Sequence, residues 1–247
     1  MRLVSLAPSL TEVIQALGRA SWLVAITDHC PEISSAPVRL GSPKTLRVSE
    51  IETLNPDLIL ADSNENLPEE IRLLQKKNRV VDFDVRSVPS ALDAVSAVGR
   101  LVDAMPEAMK GMEAIRMEQE TNRKAVDGLP QVKTLLLLWH QPYLTVNFDT
   151  YASRLVESSG GRNVFHEDPL REFPVELEDM LEKNPELLLL PTEPFPFTRR
   201  HVTYFRKYRL FSKIPIQLVD GRLFSRFGPR TAEALKTLRS LILQGGV

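Results

Sequence analysis

Apolar residues recur along this chain with two different periods. Short runs rich in leucine and β-branched side chains, at Leu3–Leu6, Leu23–Ile26, Leu58–Ala61, Val80–Phe83, Leu135–Trp139, Leu187–Leu190 and Ile216–Val219, read as buried strands. Stretches with apolar side chains three or four apart lie between them and read as helices. This alternation predicts an α/β fold, a mostly parallel sheet flanked by helices. Ser9-Leu10-Thr11-Glu12 fits a capping box at the start of the first helix, and Gly18 supplies its stop.

The longest helical pattern runs from Pro89 to Asp127, with one stripe formed by Leu92, Val95, Val98, Val102, Met105, Met109, Met112 and Ile115. A packed core face explains this stripe better than a partner-binding methionine surface. Pro106 either kinks the rod or starts a second helix, for which Asp103 is the candidate cap. The segments on either side resemble each other: Asn55-Pro56-Asp57-Leu58-Ile59-Leu60 recurs as Asn184-Pro185-Glu186-Leu187-Leu188-Leu189. A repeat around a helical spacer predicts an N-terminal α/β lobe (1–88), a connecting helix (89–128) and a C-terminal α/β lobe (129–247). Clefts between lobes are where small ligands bind.

Charge narrows the partners. Lys plus Arg (31) nearly balances Asp plus Glu (32), so nothing pulls the chain as a whole toward nucleic acid. Nor does any stretch approach the roughly 18–20 apolar residues of a membrane span. A single cysteine, Cys30, excludes an internal disulfide. Met1-Arg2 runs directly into the first strand, which is too short for a signal-peptide core. Either an export signal has been removed ahead of Met1 or the protein stays in the cytoplasm.

Candidate chemistry gathers after the strands, where open parallel sheets place their ligands. Thr27-Asp28-His29-Cys30-Pro31 follows one strand and offers oxygen, nitrogen and sulfur donors, although adjacent residues rarely complete a coordination sphere. A plain loop with a buried Cys30 and an exposed His29 is the competing reading. Trp139-His140-Gln141-Pro142-Tyr143 follows the counterpart strand, so His29 and His140 are the candidate metal ligands, facing each other across the cleft. Phe173, Phe195, Phe197, Phe224 and Phe227 could line a site for a flat ligand, with Glu193 as an oxygen donor and Arg226 beside them; for each phenylalanine alone, core packing is the stronger reading. The basic run Thr198-Arg199-Arg200-His201, with Arg206, Lys207 and Arg209, reads as a solvated helix face or as a complement to a carboxylated ligand, a phosphate or a transporter. Cys30 with His29 or His140 and Asp28 could be imagined as a catalytic set. No G-x-S-x-G, Walker, G-x-G-x-x-G or H-E-x-x-H motif supports an enzyme.

Taken in order, Val4-Ser5-Leu6-Ala7-Pro8-Ser9-Leu10-Thr11-Glu12, Asn55-Pro56-Asp57, Ser159-Gly160-Gly161-Arg162-Asn163-Val164-Phe165, Val219-Asp220-Gly221 and Phe227-Gly228-Pro229-Arg230 resemble the helical-backbone metal receptors. These are TroA-like solute-binding proteins of ABC importers for vitamin B12, haem, siderophores and metal ions. Ala61-Asp62-Ser63-Asn64-Glu65-Asn66, Thr192-Glu193-Pro194-Phe195-Pro196-Phe197 and Asp220-Gly221-Arg222-Leu223-Phe224-Ser225 resemble a subgroup often found without an export signal. The resemblance implies capture of a metal ion or metal chelate (cobalamin, haem or iron-siderophore class) by a periplasmic or cell-surface monomer that passes it to a membrane permease. It implies two docking glutamates seven residues before the Asn-Pro prolines. Glu178 matches, whereas the first position is Ser49 with Glu50 beside it. A cytoplasmic metal or metal-cofactor carrier of the same fold is the alternative, since no signal peptide is present.

Overall fold

The computed structural model describes residues 1–245. Two compact units make up the chain: Met1–Val85 with Pro89–Glu113 and Phe227–Pro229, and Arg86–Val88 with Ala114–Arg226 and the segment from Arg230 onward. Among the described residues no helix is long and apolar enough to cross a membrane.

The first unit holds β1 (Leu3–Ser5), α1 (Pro8–Ala16), β2 (Leu23–Ile26), β3 (Val38–Arg39), α2 (Val48–Thr53), β4 (Leu58–Asp62), α3 (Pro68–Gln75) and β5 (Val80–Phe83), followed by most of α4 (Val88–Leu101). Its sheet has the order β3-β2-β1-β4-β5 and is parallel throughout. β1 and β4 are buried along their whole length, as strands covered on both faces must be. The division between units falls within α5 (Met105–Val126).

The second unit continues with β6 (Val132–Leu136), β7 (Tyr143–Val146), α6 (Tyr151–Ser158), β8 (Gly161–Asn163), β9 (Glu172–Val175), α7 (Leu177–Glu182), β10 (Leu187–Pro191), α8 (Arg199–Phe205), β11 (Ile216–Val219), α9 (Arg222–Ser225) and α10 (Arg230–Gly245). A parallel sheet of order β11-β10-β6-β8 is accompanied by an antiparallel ribbon of β7 and β9. Fully buried Phe205 and Phe211 sit in this unit's core with Leu135, Leu188, Leu190 and Met180.

The Asn-Pro repeat has a shared geometry. Asn55 and Asn184 both adopt left-handed backbone, φ 44° and 48°, which asparagine tolerates better than other non-glycine residues. The acidic residue that follows then clamps the neighbouring strand. Arg2 N donates to Asp57 Oδ2 at 2.6 Å while Asp57 N donates to Arg2 O at 2.8 Å. In the second unit Lys133 N donates to Glu186 Oε2 at 2.8 Å and Glu186 N to Lys133 O at 2.7 Å. Sequence similarity here therefore encodes one hydrogen-bonded strand entry used twice.

Several local expectations change. The capping box at Ser9 does not form: α1 begins two residues earlier than that cap would set, at Pro8, with Ala7 at the N-cap and no side-chain cap. Proline at the first helical position pre-sets the backbone and carries no N–H to satisfy, so Ser9 falls inside the helix, its buried hydroxyl without a hydrogen-bond partner. Gly18 does end this helix, with φ +70°. The Leu135–Trp139 strand is shifted: β6 covers Val132–Leu136, and Trp139 makes only an isolated bridge to Leu144. Lys133 and Thr134 broke the apolar run, yet Thr134 is wholly buried with its hydroxyl satisfied by Val132 O at 2.9 Å.

The long helical pattern is two helices. Asp103, at φ +48°, ends α4 instead of capping α5; Ala104 O accepts the first bond of the new helix from Ala108 N at 3.0 Å, and Pro106 lies in its first turn. This break resets the stripe. Ala104, Ala108, Met112 and Ile115 are buried, whereas Met109 is 61% exposed.

Candidate functional site

In the first unit the loops that leave the C-terminal ends of β1, β3 and β4 are tied together by polar side chains. Asp62 closes β4 and accepts from Asn64 N at 2.9 Å and Asn64 Nδ2 at 3.0 Å. Asn66 Oδ1 accepts from Asp62 N at 3.0 Å, and its Nδ2 donates to Leu6 O and Pro43 O at 2.9 and 3.1 Å. Burial pushes the Asp62 carboxyl up to about 7, against the hydrogen bonds from Asn64 that pull it down. The one sign of this brace in the sequence is an Asp and an Asn four apart, Asp62 and Asn66, directly after an apolar strand.

Asp28 and His29 are exposed and Cys30 is buried. From β3, Arg39 Nη1 donates to Thr27 O at 3.1 Å and Cys30 O at 2.9 Å, and its Nη2 pairs with Glu32 at 2.8 Å. One guanidinium thus holds the turn that presents His29. Cys30 Sγ has two threonine hydroxyls as neighbours, Thr11 at 3.1 Å and Thr27 at 3.2 Å, and burial raises its pKa. This environment suits a packed thiol, and among the described residues no imidazole stands at hydrogen-bond distance to activate it. A thiol reagent at pH 8 is expected to modify Cys30 at least about ten-fold more slowly in native protein than in urea-unfolded protein. Equal rates, followed by absorbance, would contradict the buried placement.

In the second unit the loops after β6 and β10 bring Trp139, His140, Phe195 and Phe197 together. Trp139 is 39% exposed and meets Phe195 edge-on at 5.4 Å between centroids. The Gln141-Pro142 and Glu193-Pro194 peptide bonds are both cis. His140 lies within 5.1 Å of His201, 5.3 Å of Tyr143, 5.4 Å of Tyr204 and 5.8 Å of Phe195, measured between ring centroids. Its Nε2 is buried with no hydrogen-bond partner. Burial, reinforced by the nearby His201, lowers its pKa, so at neutral pH the ring is a neutral imidazole under an aromatic cover. Coordination through Nε2 requires that cover to move.

Glu193 accepts from Ser225 Oγ at 2.8 Å and pairs with Arg226 Nε at 3.5 Å, so the loop after β10 carries an ion pair two residues from Phe195. Gly221 N donates to Thr192 Oγ1 at 3.1 Å, fixing the loop after β11 against it. Phe173, Phe197 and Phe224 are 7%, 2% and 5% exposed. Phe173 packs on Phe165 at 5.7 Å in the core and does not join the Trp139 group. His201, expected on a solvated face, instead caps α8 by accepting from Thr198 N at 3.0 Å and turns its ring to His140. Tyr143 and Tyr208 each donate to the Tyr204 hydroxyl at 3.0 Å, holding its pKa below the ordinary phenol value. Neither grouping was legible in the spacing, because its members come from different elements.

Among the described residues no group of three or more His, Cys, Asp or Glu side chains could hold a metal ion. A cavity of about 330 Å³ in the second unit is lined by Lys133, Arg162, Phe165, His166 and Lys183, near the starts of β6 and β10, and includes none of the sequence candidates. Glu178 on α7 and Glu50 on α2 are both exposed; Glu50 pairs with Arg47 at 3.5 Å.

Known proteins of similar sequence and structure fall in one class. The sequence profile described as Periplasmic binding protein matches residues 3–211. A Vitamin B12-binding protein from Pectobacterium carotovorum is 27% identical over 251 residues, spanning 97% of this chain and 87% of the relative. One from Vibrio cholerae is 26% identical over 191 residues, 76% of this chain and 69% of the relative. Among solved structures, the periplasmic vitamin B12 binding protein of Vibrio cholerae superposes with a TM-score of 0.85 at 22% identity, covering 99% of this chain and 97% of that one. The periplasmic heme-binding protein RhuT from Roseiflexus sp. RS-1 gives 0.84 at 18% identity, covering 100% and 99%. At such identities the structural likeness establishes the shared α/β fold. With its profile match spanning most of the sequence, this chain belongs to the periplasmic binding protein family, whose role is to bind substrate.

Proposed function

We propose that this protein is the solute-binding component of an ABC importer and that its cargo is a planar metal chelate of the cobalamin or haem class. The observation that carries this reading is the exposed Trp139 ring backed by Phe195, whose own loop also bears Glu193, ion-paired with Arg226. A flat, largely apolar ligand with polar edges matches an aromatic surface bordered by charge. A chelate brings its own metal donors. It therefore needs no preformed cage of protein ligands, which agrees with the donor groupings among the described residues. His29, exposed on a braced turn, is the first unit's candidate contact. The relatives named for vitamin B12 and heme binding support both ligand types, and the sequence relatives favour cobalamin.

In this reading the chain acts as a monomer outside the cytoplasmic membrane and performs no catalysis, with Glu178 and Glu50 as contacts for the permease. Surface ion pairs such as Arg47–Glu50 contribute little, so Glu50 exchanges its partner at low cost. Titration of purified protein with cyanocobalamin and with haemin, followed by absorbance and calorimetry, tests the proposal. One of the two is expected to bind with micromolar or tighter affinity. Trp139→Ala is then expected to weaken binding about ten-fold or more, the worth of one buried aromatic contact. Binding of neither compound by metal-free, ligand-free protein would overturn the assignment.

A further inference from the structure

Residues 199–213 carry six cations, Arg199, Arg200, Arg206, Lys207, Arg209 and Lys213, and no Asp or Glu. All six are exposed. None is ion-paired with a carboxylate among the described residues; Arg206 instead donates to Ser212 O at 3.2 Å, and Lys207 lies 5.9 Å from the centre of the Tyr204 ring. The segment is not a loose basic tail. Phe205 and Phe211, each 0% exposed, anchor it in the second unit's core and leave the outward positions to the cations. The half-buried Tyr204 and Tyr208 stand among them, joined hydroxyl to hydroxyl at 3.0 Å.

The chain's formal net charge is −1 with these six cations counted, so the remaining residues are net acidic and this segment is a local excess of positive charge. Such a local excess attracts an extended anionic plane, while the acidic remainder disfavours wrapping by a nucleic acid. Aromatic residues with polar tips, interleaved with cations, belong at the headgroup level of a bilayer. We propose that Arg199–Lys213 is a docking face for anionic phospholipid, which holds the protein loosely at the membrane surface. The lipid proposal stands without the permease and without a named cargo.

Co-sedimentation with vesicles of phosphatidylglycerol and phosphatidylcholine, against vesicles of phosphatidylcholine alone, tests it. Each cation near an anionic bilayer strengthens binding about five-fold. The protein is expected to pellet with the anionic vesicles at low salt, to be released by about 0.5 M NaCl, and to ignore the neutral ones. A triple variant, Lys207→Glu, Arg209→Glu and Lys213→Glu, changes exposed residues that hold no backbone and is expected to weaken binding by more than about two orders of magnitude, since each substitution reverses a charge. The neutral triple to Gln, with an unchanged melting curve, is expected to lose most of it, which separates charge from misfolding. No preference for anionic vesicles, or binding that survives both triples, overturns the proposal. So does retention on single-stranded DNA stronger than on the vesicles, which would assign the face to nucleic acid.

Discussion

Gly221→Ala is expected to destabilise the second unit by about 3 kcal/mol and to abolish tight ligand binding. Overpacking of this kind costs ~1–3 kcal/mol where neighbours can yield, and here the obstacle is backbone. A Cβ at Gly221 would lie 2.3 Å from Glu193 N, 2.4 Å from Glu193 O and 2.5 Å from Glu193 Cγ. Conformation is not the obstacle, since Gly221 has φ −61°, available to any residue. Space is. The loops after β10 and β11 touch there, secured by Gly221 N to Thr192 Oγ1 and by Ser225 Oγ to Glu193 Oε1. Displacing Glu193 moves the loop that carries Phe195, and with it the ring pairing that presents Trp139. Urea unfolding and a ligand titration measure the two consequences. Gly111→Ala serves as the control: it sits exposed inside α5 with nothing within 4 Å of its added Cβ, and is expected to stabilise by about 0.5–1 kcal/mol. A Gly221→Ala protein within about 0.5 kcal/mol of the parent would refute the close contact.

Asp62→Asn is expected to stabilise the first unit at pH 8 and to remove a pH dependence that the parent shows. Burial raises the Asp62 carboxyl from 3.8 to about 7, with Glu65 and Asp82 adding repulsion. Between those values the folded protein holds a proton that the unfolded chain releases. This contribution is therefore fully present below about pH 4 and is lost as pH climbs toward about 7, after which it is flat. At ~1.4 kcal/mol per pH unit the loss is on the order of 4 kcal/mol. Asparagine keeps an oxygen to accept from Asn64 N and carries no charge to desolvate. Melting curves at pH 4 and pH 8 should show the parent losing stability across this range relative to the variant. Parallel pH profiles for the two proteins would remove Asp62 as the source.

The fold was legible because its determinants are local. Strands β2, β5 and β11 begin and end at the residues their apolar runs mark. The Asn-Pro repeat announced two related halves before its clamp geometry was visible. Short strands with mixed composition, β3, β8 and the β7–β9 ribbon, were not legible, since they lack the unbroken apolar run that marks a strand as short as β2. The Ser9 capping box failed for a local reason as well: two start signals overlapped, and Pro8 won.

The candidate site divides along the same line. By itself the sequence determined which loops follow the parallel strands, because the end of such a strand follows from the end of its apolar run: Thr27–Cys30, Trp139–His140 and Glu193–Phe197 all fall there. Only the tertiary structure decided which side chains in those loops keep company. It buried Cys30 against Thr11 and Thr27, turned His201 toward His140, sent Phe173 into the core, and pressed Gly221 onto Glu193. The physical reason is that hydrophobic periodicity records burial along one dimension. Contacts between loops depend instead on how strands far apart in the chain are ordered in the sheet, and no local pattern of residues contains that order.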